Sequence, residues 1–142
     1  MLRELIARDV YVFTSELYAQ VTAGAIITPA GAIVIDTLAF PSETQQILDF
    51  VEQRHGVPVT YVVNPHYHAD HTYGTCLFEG AQVVGHVLTR ELLDGAGRAA
   101  LLAAQRGSRE LAHIDIRLPD VVFDEGVLNL HLGGVTLKMW HM

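Results

Sequence analysis

Two short segments, one wholly apolar and one of buried-strand type, flank one helical stretch between residues 32 and 63, and this arrangement narrows the possible folds more than anything else in the chain. Residues 32–35 read Ala-Ile-Val-Ile and residues 59–63 read Val-Thr-Tyr-Val-Val. A strand with no polar face, such as 32–35, is buried on both sides, as in a sheet covered by helices. Between them, Pro41 precedes Ser42-Glu43-Thr44-Gln45, which has the form of a capping box, and Ile47, Leu48 and Val51 then share a helical face. Gly56 and Pro58 end that helix. Residues 32–63 therefore read as a β-helix-β unit, the building block of layered α/β folds.

The flanks extend this pattern. Residues 9–13 and 21–28 are rich in β-branched and aromatic residues and read as strands, with Pro29-Ala30-Gly31 as a turn. A polar loop is expected over 64–75, then a short strand at 82–85. Residues 87–112 are rich in Ala and Leu and read as two helices, broken at Gly95 or Gly97 and again at Gly107. Strands are expected at 121–123, 127–132 and 135–140, the last two joined through Gly133-Gly134 as a hairpin. In 127–132, Leu128, Leu130 and Leu132 alternate with Asn129 and His131, so one face of that strand is wet. The whole of residues 1–142 is read as a single domain, with no linker, repeat or low-complexity segment.

The second apolar strand runs into Asn64-Pro65-His66-Tyr67-His68-Ala69-Asp70-His71, which holds three of the eight histidines. Sites in open α/β sheets lie where strand ends feed loops. His66 and His68 are two apart, so in extended backbone their side chains leave one face and can clasp one ion. Asp70 and His71 follow where the chain turns and can reach a second ion. Neutral imidazole suits zinc, iron and manganese, and the carboxylate oxygen hardens the second position. Two cations roughly 3.5–4 Å apart polarise a carbonyl or phosphoryl oxygen and make a nucleophile available at neutral pH, which is hydrolytic chemistry. His66, His68, Asp70 and His71 are the candidate metal ligands, and Asp70 is also the candidate catalytic residue.

Other residues have plainer readings. Asp36 ends a buried strand and is either a turn residue or the carboxylate that orients a ligand histidine. Asn64 braces the motif loop, His86 starts a helix near the mouth of the site, and Cys76 is a small buried residue. His55, His113 and His131 read as surface, and His141 as part of a strand.

NPHYHADHTYG resembles the HxHxDH signature of the metallo-β-lactamase superfamily, and Asp36, Leu118-Pro119-Asp120 and Leu132-Gly133-Gly134 stand where that family has similar residues. The resemblance implies an αββα sandwich of which this sequence holds the N-terminal half to two-thirds. It implies that His66 and His68 serve the first metal and Asp70 and His71 the second, with two zinc ions in the complete protein and iron or manganese as substitutes. A third histidine for the first metal, a bridging aspartate and a final histidine are expected beyond Met142. Tyr73-Gly74 departs from the family's frequent Gly pair, so the turn after His71 is wider or Tyr73 faces the cleft. The implied activity is hydrolysis of an ester, thioester, lactone or amide in a small-molecule substrate. The alternatives are a di-iron redox or sulfur-dioxygenase-type member of the same superfamily, or a chain that is catalytically silent by itself.

Composition excludes several other classes. A net charge of -7 with nine scattered basic residues offers no patch for nucleic acid. A single cysteine permits no internal disulfide, and no apolar run reaches membrane-spanning length, so a cytoplasmic protein without a membrane partner is expected. An open sheet edge and an uncovered apolar face would favour self-association. A metal-dependent TIM barrel needs about 250 residues, and a cupin barrel would not need the helix after Pro41.

Overall fold

The computed structural model describes residues 1–142, and its element order follows from alternation in the apolar segments. Strands β1 (Leu2–Ala7), β2 (Val10–Thr14), β3 (Thr22–Thr28) and β4 (Gly31–Ile35) are followed by helix α1 (Pro41–Asp49), which runs on through a π-helical turn, Phe50–Arg54. Strand β5 (Val59–Asn64) leads to the short helix α2 (Ala69–Thr72) and a 3-10 turn, Tyr73–Leu77. Strand β6 (Gln82–His86), helices α3 (Val87–Leu92) and α4 (Arg98–Gly107), and strands β7 (Val121–Phe123), β8 (Val127–Leu132) and β9 (Val135–Trp140) complete the chain.

Strands β1 to β7 form one sheet in the order of the sequence. The pairs from β1 to β4 are antiparallel, joined by tight connections, and those from β4 to β7 are parallel, joined by helical crossovers. Side chains on the central strands alternate between two cores. Ala32 and Val34 of β4 and Val62 of β5 pack with Ile47, Phe50 and Val51 on the helical side. Ile33 of β4, Val63 of β5 and Val84 of β6 pack on the other side against Leu130, with Leu128, Leu132, Leu137 and Met139 of the β8–β9 hairpin around them. The layers are thus helices, a seven-stranded sheet and a two-stranded sheet. This is the α/β architecture expected, except that one face of the sheet is covered by the β8–β9 hairpin and not by helices; the two-sided core is why β4 and much of β5 are apolar.

Four local expectations need correction. The capping box at Ser42 does not form: Phe40 is the N-cap with no side-chain bond, and Pro41 takes the first helical turn. The Thr44 hydroxyl instead donates to the Thr37 carbonyl at 2.6 Å, tying α1 to the end of β4. The segment 64–75 is not simply a polar loop, because α2 and the 3-10 turn occupy its second half. Gly95 and Gly97 do not break the helical region but sit in a π-helical turn, Leu93–Gly97, that carries α3 into α4, and Gly107 ends it. Finally, β1 has no counterpart among the expected strands, because every residue in it is exposed and no burial pattern marks it. No helix is long and apolar enough to cross a membrane.

Candidate metal centre

The candidate ligands stand at the C-terminal end of β5, on the segment linking it to α2. His68 has extended backbone (φ -64°, ψ 162°) and is the N-cap of α2, so the chain turns into helix immediately before Asp70 and His71. This turn brings all three imidazoles together. The His66 and His68 ring centroids are 4.2 Å apart and nearly perpendicular, and His66 lies 5.3 Å from His71. His66 Nε2 and His68 Nδ1 share a hydrogen bond at 2.7 Å, and His71 Nε2 is 3.1 Å from Asp70 Oδ2.

His71 is held from both sides. Its Nδ1 bonds the Asp36 carboxylate, 35 residues earlier at the end of β4. Asp36 reaches it from left-handed backbone (φ 66°), a conformation uncommon outside glycine. The orienting reading of Asp36 is the one the geometry supports. The loop beneath is braced as expected by Asn64, whose Nδ2 donates to the His71 carbonyl at 3.3 Å and to Thr75 Oγ1 at 3.1 Å. The Thr37 hydroxyl donates to the same His71 carbonyl at 3.0 Å, a contact with no signal in the sequence.

These contacts polarise the cluster. The hydrogen bond that His71 makes to the Asp36 carboxylate raises its pKa above the ordinary value, against the opposing effect of burial. Burial lowers that of His66, helped by the neighbouring His68 and His71. Burial thus disfavours the charged form of His66, while His71 has a carboxylate beside each ring nitrogen. Tyr73 is buried, and that burial, with Tyr18 nearby, raises its phenol pKa.

As a test of fit, the donor set is three imidazole nitrogens and one carboxylate oxygen on neighbouring turns, which is zinc-type chemistry. The ring nitrogens are turned toward one another and toward Asp70, so no three of these groups already converge on a common point. With Nδ1 of His71 committed to Asp36, its Nε2 is the nitrogen left for a cation. The residues fit the group.

The remaining histidines lie elsewhere. His86 caps α3, accepting from the Leu88 N–H at 3.0 Å through Nδ1, as a helix-start histidine should. His141 follows β9 and stacks on His86, 4.1 Å between centroids. Both line a hollow of about 540 Å³ between the ends of the two sheets, with Asn64, Pro65, Phe123 and Trp140. His113 and His131 are exposed, but His55 is half-buried and packs edge-on against Phe50 and Tyr11, contrary to its surface reading. Cys76 is half-buried.

Comparison with known proteins bears on the family and the fold. Residues 18–141 match the family model described as the metallo-beta-lactamase superfamily. Among solved structures, the chain is similar to a metallo-beta-lactamase from Pontibacter korlensis (24% identity, TM-score 0.68), covering 96% of this chain and 58% of that one. It is also similar to one from Hirschia baltica (14%, TM-score 0.63; 95% and 58%). The metallo-beta-lactamase IND-7 matches at 16% identity and a TM-score of 0.69, over 95% of this chain and 57% of that one. At these identities the likeness is one of fold, and the chain spans less than two thirds of the length of each structure.

Proposed function

The chain belongs to the metallo-beta-lactamase superfamily, and from that premise we propose that it carries part of the metal site of a hydrolase acting on an ester, thioester, lactone or amide. The observation that carries this reading is the crowding of three imidazoles and Asp70 on one short segment, with His71 clamped by Asp36. Zinc ions, two in the complete protein, would supply Lewis acidity for a carbonyl oxygen and bring the pKa of water toward neutrality.

The chain's own residues set the stage for that chemistry. His66 and His68 offer ring nitrogens for one cation, and Asp70 with Nε2 of His71 offers a mixed donor pair for the other. Asp36 fixes the tautomer of His71, holding a proton on Nδ1. Asp70 Oδ2 lies 3.1 Å from Nε2, beside the nitrogen offered to the cation, which supports its assignment as a ligand and as the candidate catalytic carboxylate. Asn64 and Thr37 grip the His71 carbonyl, so the backbone beneath the donors does not have to be ordered when a cation arrives.

The experiment is zinc uptake by isothermal calorimetry, together with hydrolysis of a chromogenic ester by the zinc-loaded 142-residue chain before and after chelation. His68→Ala should weaken zinc binding by at least about tenfold, and chelation should abolish any hydrolysis. A wild-type chain that takes up no zinc, or hydrolysis that survives metal removal, would overturn the reading.

A further inference from the structure

A cleft of about 330 Å³ opens beside the candidate ligands, walled by Tyr18, Tyr67, Tyr73, the segment His68–Asp70, Gly97 and Ala100. We propose that this cleft receives an uncharged aromatic or apolar group of the substrate, seated next to the bond that is cleaved. The proposal rests on the hydrolase reading above and extends it to the class of substrate.

Position comes first. His68 and Asp70 form part of the wall, so whatever fills the cleft lies against the segment that carries the chemistry. The volume is at the lower end for ligand sites, room for one ring with a short linker. The lining sets the charge. It contains no Lys or Arg, and its one carboxylate, Asp70, repels an anion in the metal-free chain, so an anionic group would find no side-chain counter-ion in the wall. Tyr18 and Tyr67 supply stiff aromatic surface at small entropic cost, with the mostly buried Tyr73 behind them, which favours a flat or apolar guest.

The walls are also held in place beforehand. Tyr18 lies between β2 and β3, and its N–H donates to Ser15 Oγ at 2.9 Å. Ser15 Oγ donates in turn to Glu43, and the Glu16 N–H donates to the other oxygen of that carboxylate at 3.0 Å. Glu43 is 2% exposed on α1 and takes no part in the metal centre. A carboxylate so deeply buried is costly unless its hydrogen bonds are met, and these two fasten the start of the turn that presents Tyr18. Opposite, Gly97 and Ala100 are three apart and share a face. A Cβ on Gly97 would crowd Leu93 at 3.2 Å, so that glycine serves helix packing. Ala100 is exposed, and its small side chain leaves the cleft open.

The test is an amide NMR titration of the metal-free chain with benzamide, benzoate and benzyltrimethylammonium. Benzamide should shift the amides of Tyr18, Ala69 and Ala100 saturably, and benzoate should not. Ala100→Trp, which fills the space, should weaken benzamide by about tenfold or more. Tyr18→Ala removes one wall without touching α4 and should weaken it as well, which covers a misfolded Ala100→Trp. Tighter binding of benzoate or of the ammonium ion, saturable shifts centred on Phe123 and Trp140, or no saturable shift would overturn the proposal. Zinc uptake by the same sample separates the two readings. Lost benzamide binding with zinc uptake intact removes the subsite alone. Benzamide binding without zinc uptake removes the hydrolase reading, and with it the guest's identity as substrate.

Discussion

Asp36 and His71 are separated by 35 residues, yet their hydrogen bond decides which imidazole nitrogen is free. Asp36→Asn should therefore weaken zinc binding about 10- to 100-fold while leaving all four proposed donors in place, a loss that calorimetry would measure. The same pair makes the metal-free chain's stability depend on pH. Because the folded-state pKa of His71 is raised, the stabilisation is complete below the unfolded value of 6.5 and is lost as pH climbs through the folded value. Wild type should exceed Asp36→Asn by about 1–2 kcal/mol in acid, with the gap narrowing above neutrality, as urea melts at several pH values would reveal. The candidate cluster could be picked out because His66, His68, Asp70 and His71 fall within six residues. Asp36 stayed ambiguous because its partner is distant, and the grip of Thr37 on the His71 carbonyl gave no sign at all, since a threonine after a strand has many ordinary uses.

At the level of elements, the turn after His71 depends on a close approach. A Cβ on Gly74 would overlap both the Thr37 carbonyl oxygen and Thr44 Oγ1. Its N–H also donates to the Leu38 carbonyl at 3.2 Å, sewing the motif segment to the end of β4. Gly74→Ala should cost about 1–3 kcal/mol in thermal melts and also loosen zinc binding. The turn is therefore tight rather than wide, and of the two expectations for Tyr73, the one that places it on the cleft is met, with its ring mostly packed beside Leu101, Leu111 and Ile114. Strand and helix identities came through well where apolar runs or alternation were strong, as in β4, β5 and β8. The capping box failed for a physical reason: Pro41 fits the first helical position, which shifts the start of α1 ahead of Ser42.

For the molecule as a whole, the β8–β9 hairpin is the only layer on one side of the main sheet. Leu130 is its buried anchor, 6% exposed against Ile33, Val63 and Val84. Leu130→Ala should lower stability by about 2–4 kcal/mol in chemical denaturation. At the opposite end, β1 offers a free edge and exposes Leu2, Leu5 and Ile6, so light scattering at rising concentration is expected to register self-association. That the sheet is covered on both faces was readable from two-sided apolar strands, but that a hairpin covers one face, and which strands neighbour one another, was not, because pairing leaves no local mark. The seven strands lie side by side in the order in which they are synthesised. A chain emerging from the ribosome thus finds, for each new strand, the required edge already in place, and the main sheet can grow outward from β1 without waiting for any later segment to be threaded between earlier ones.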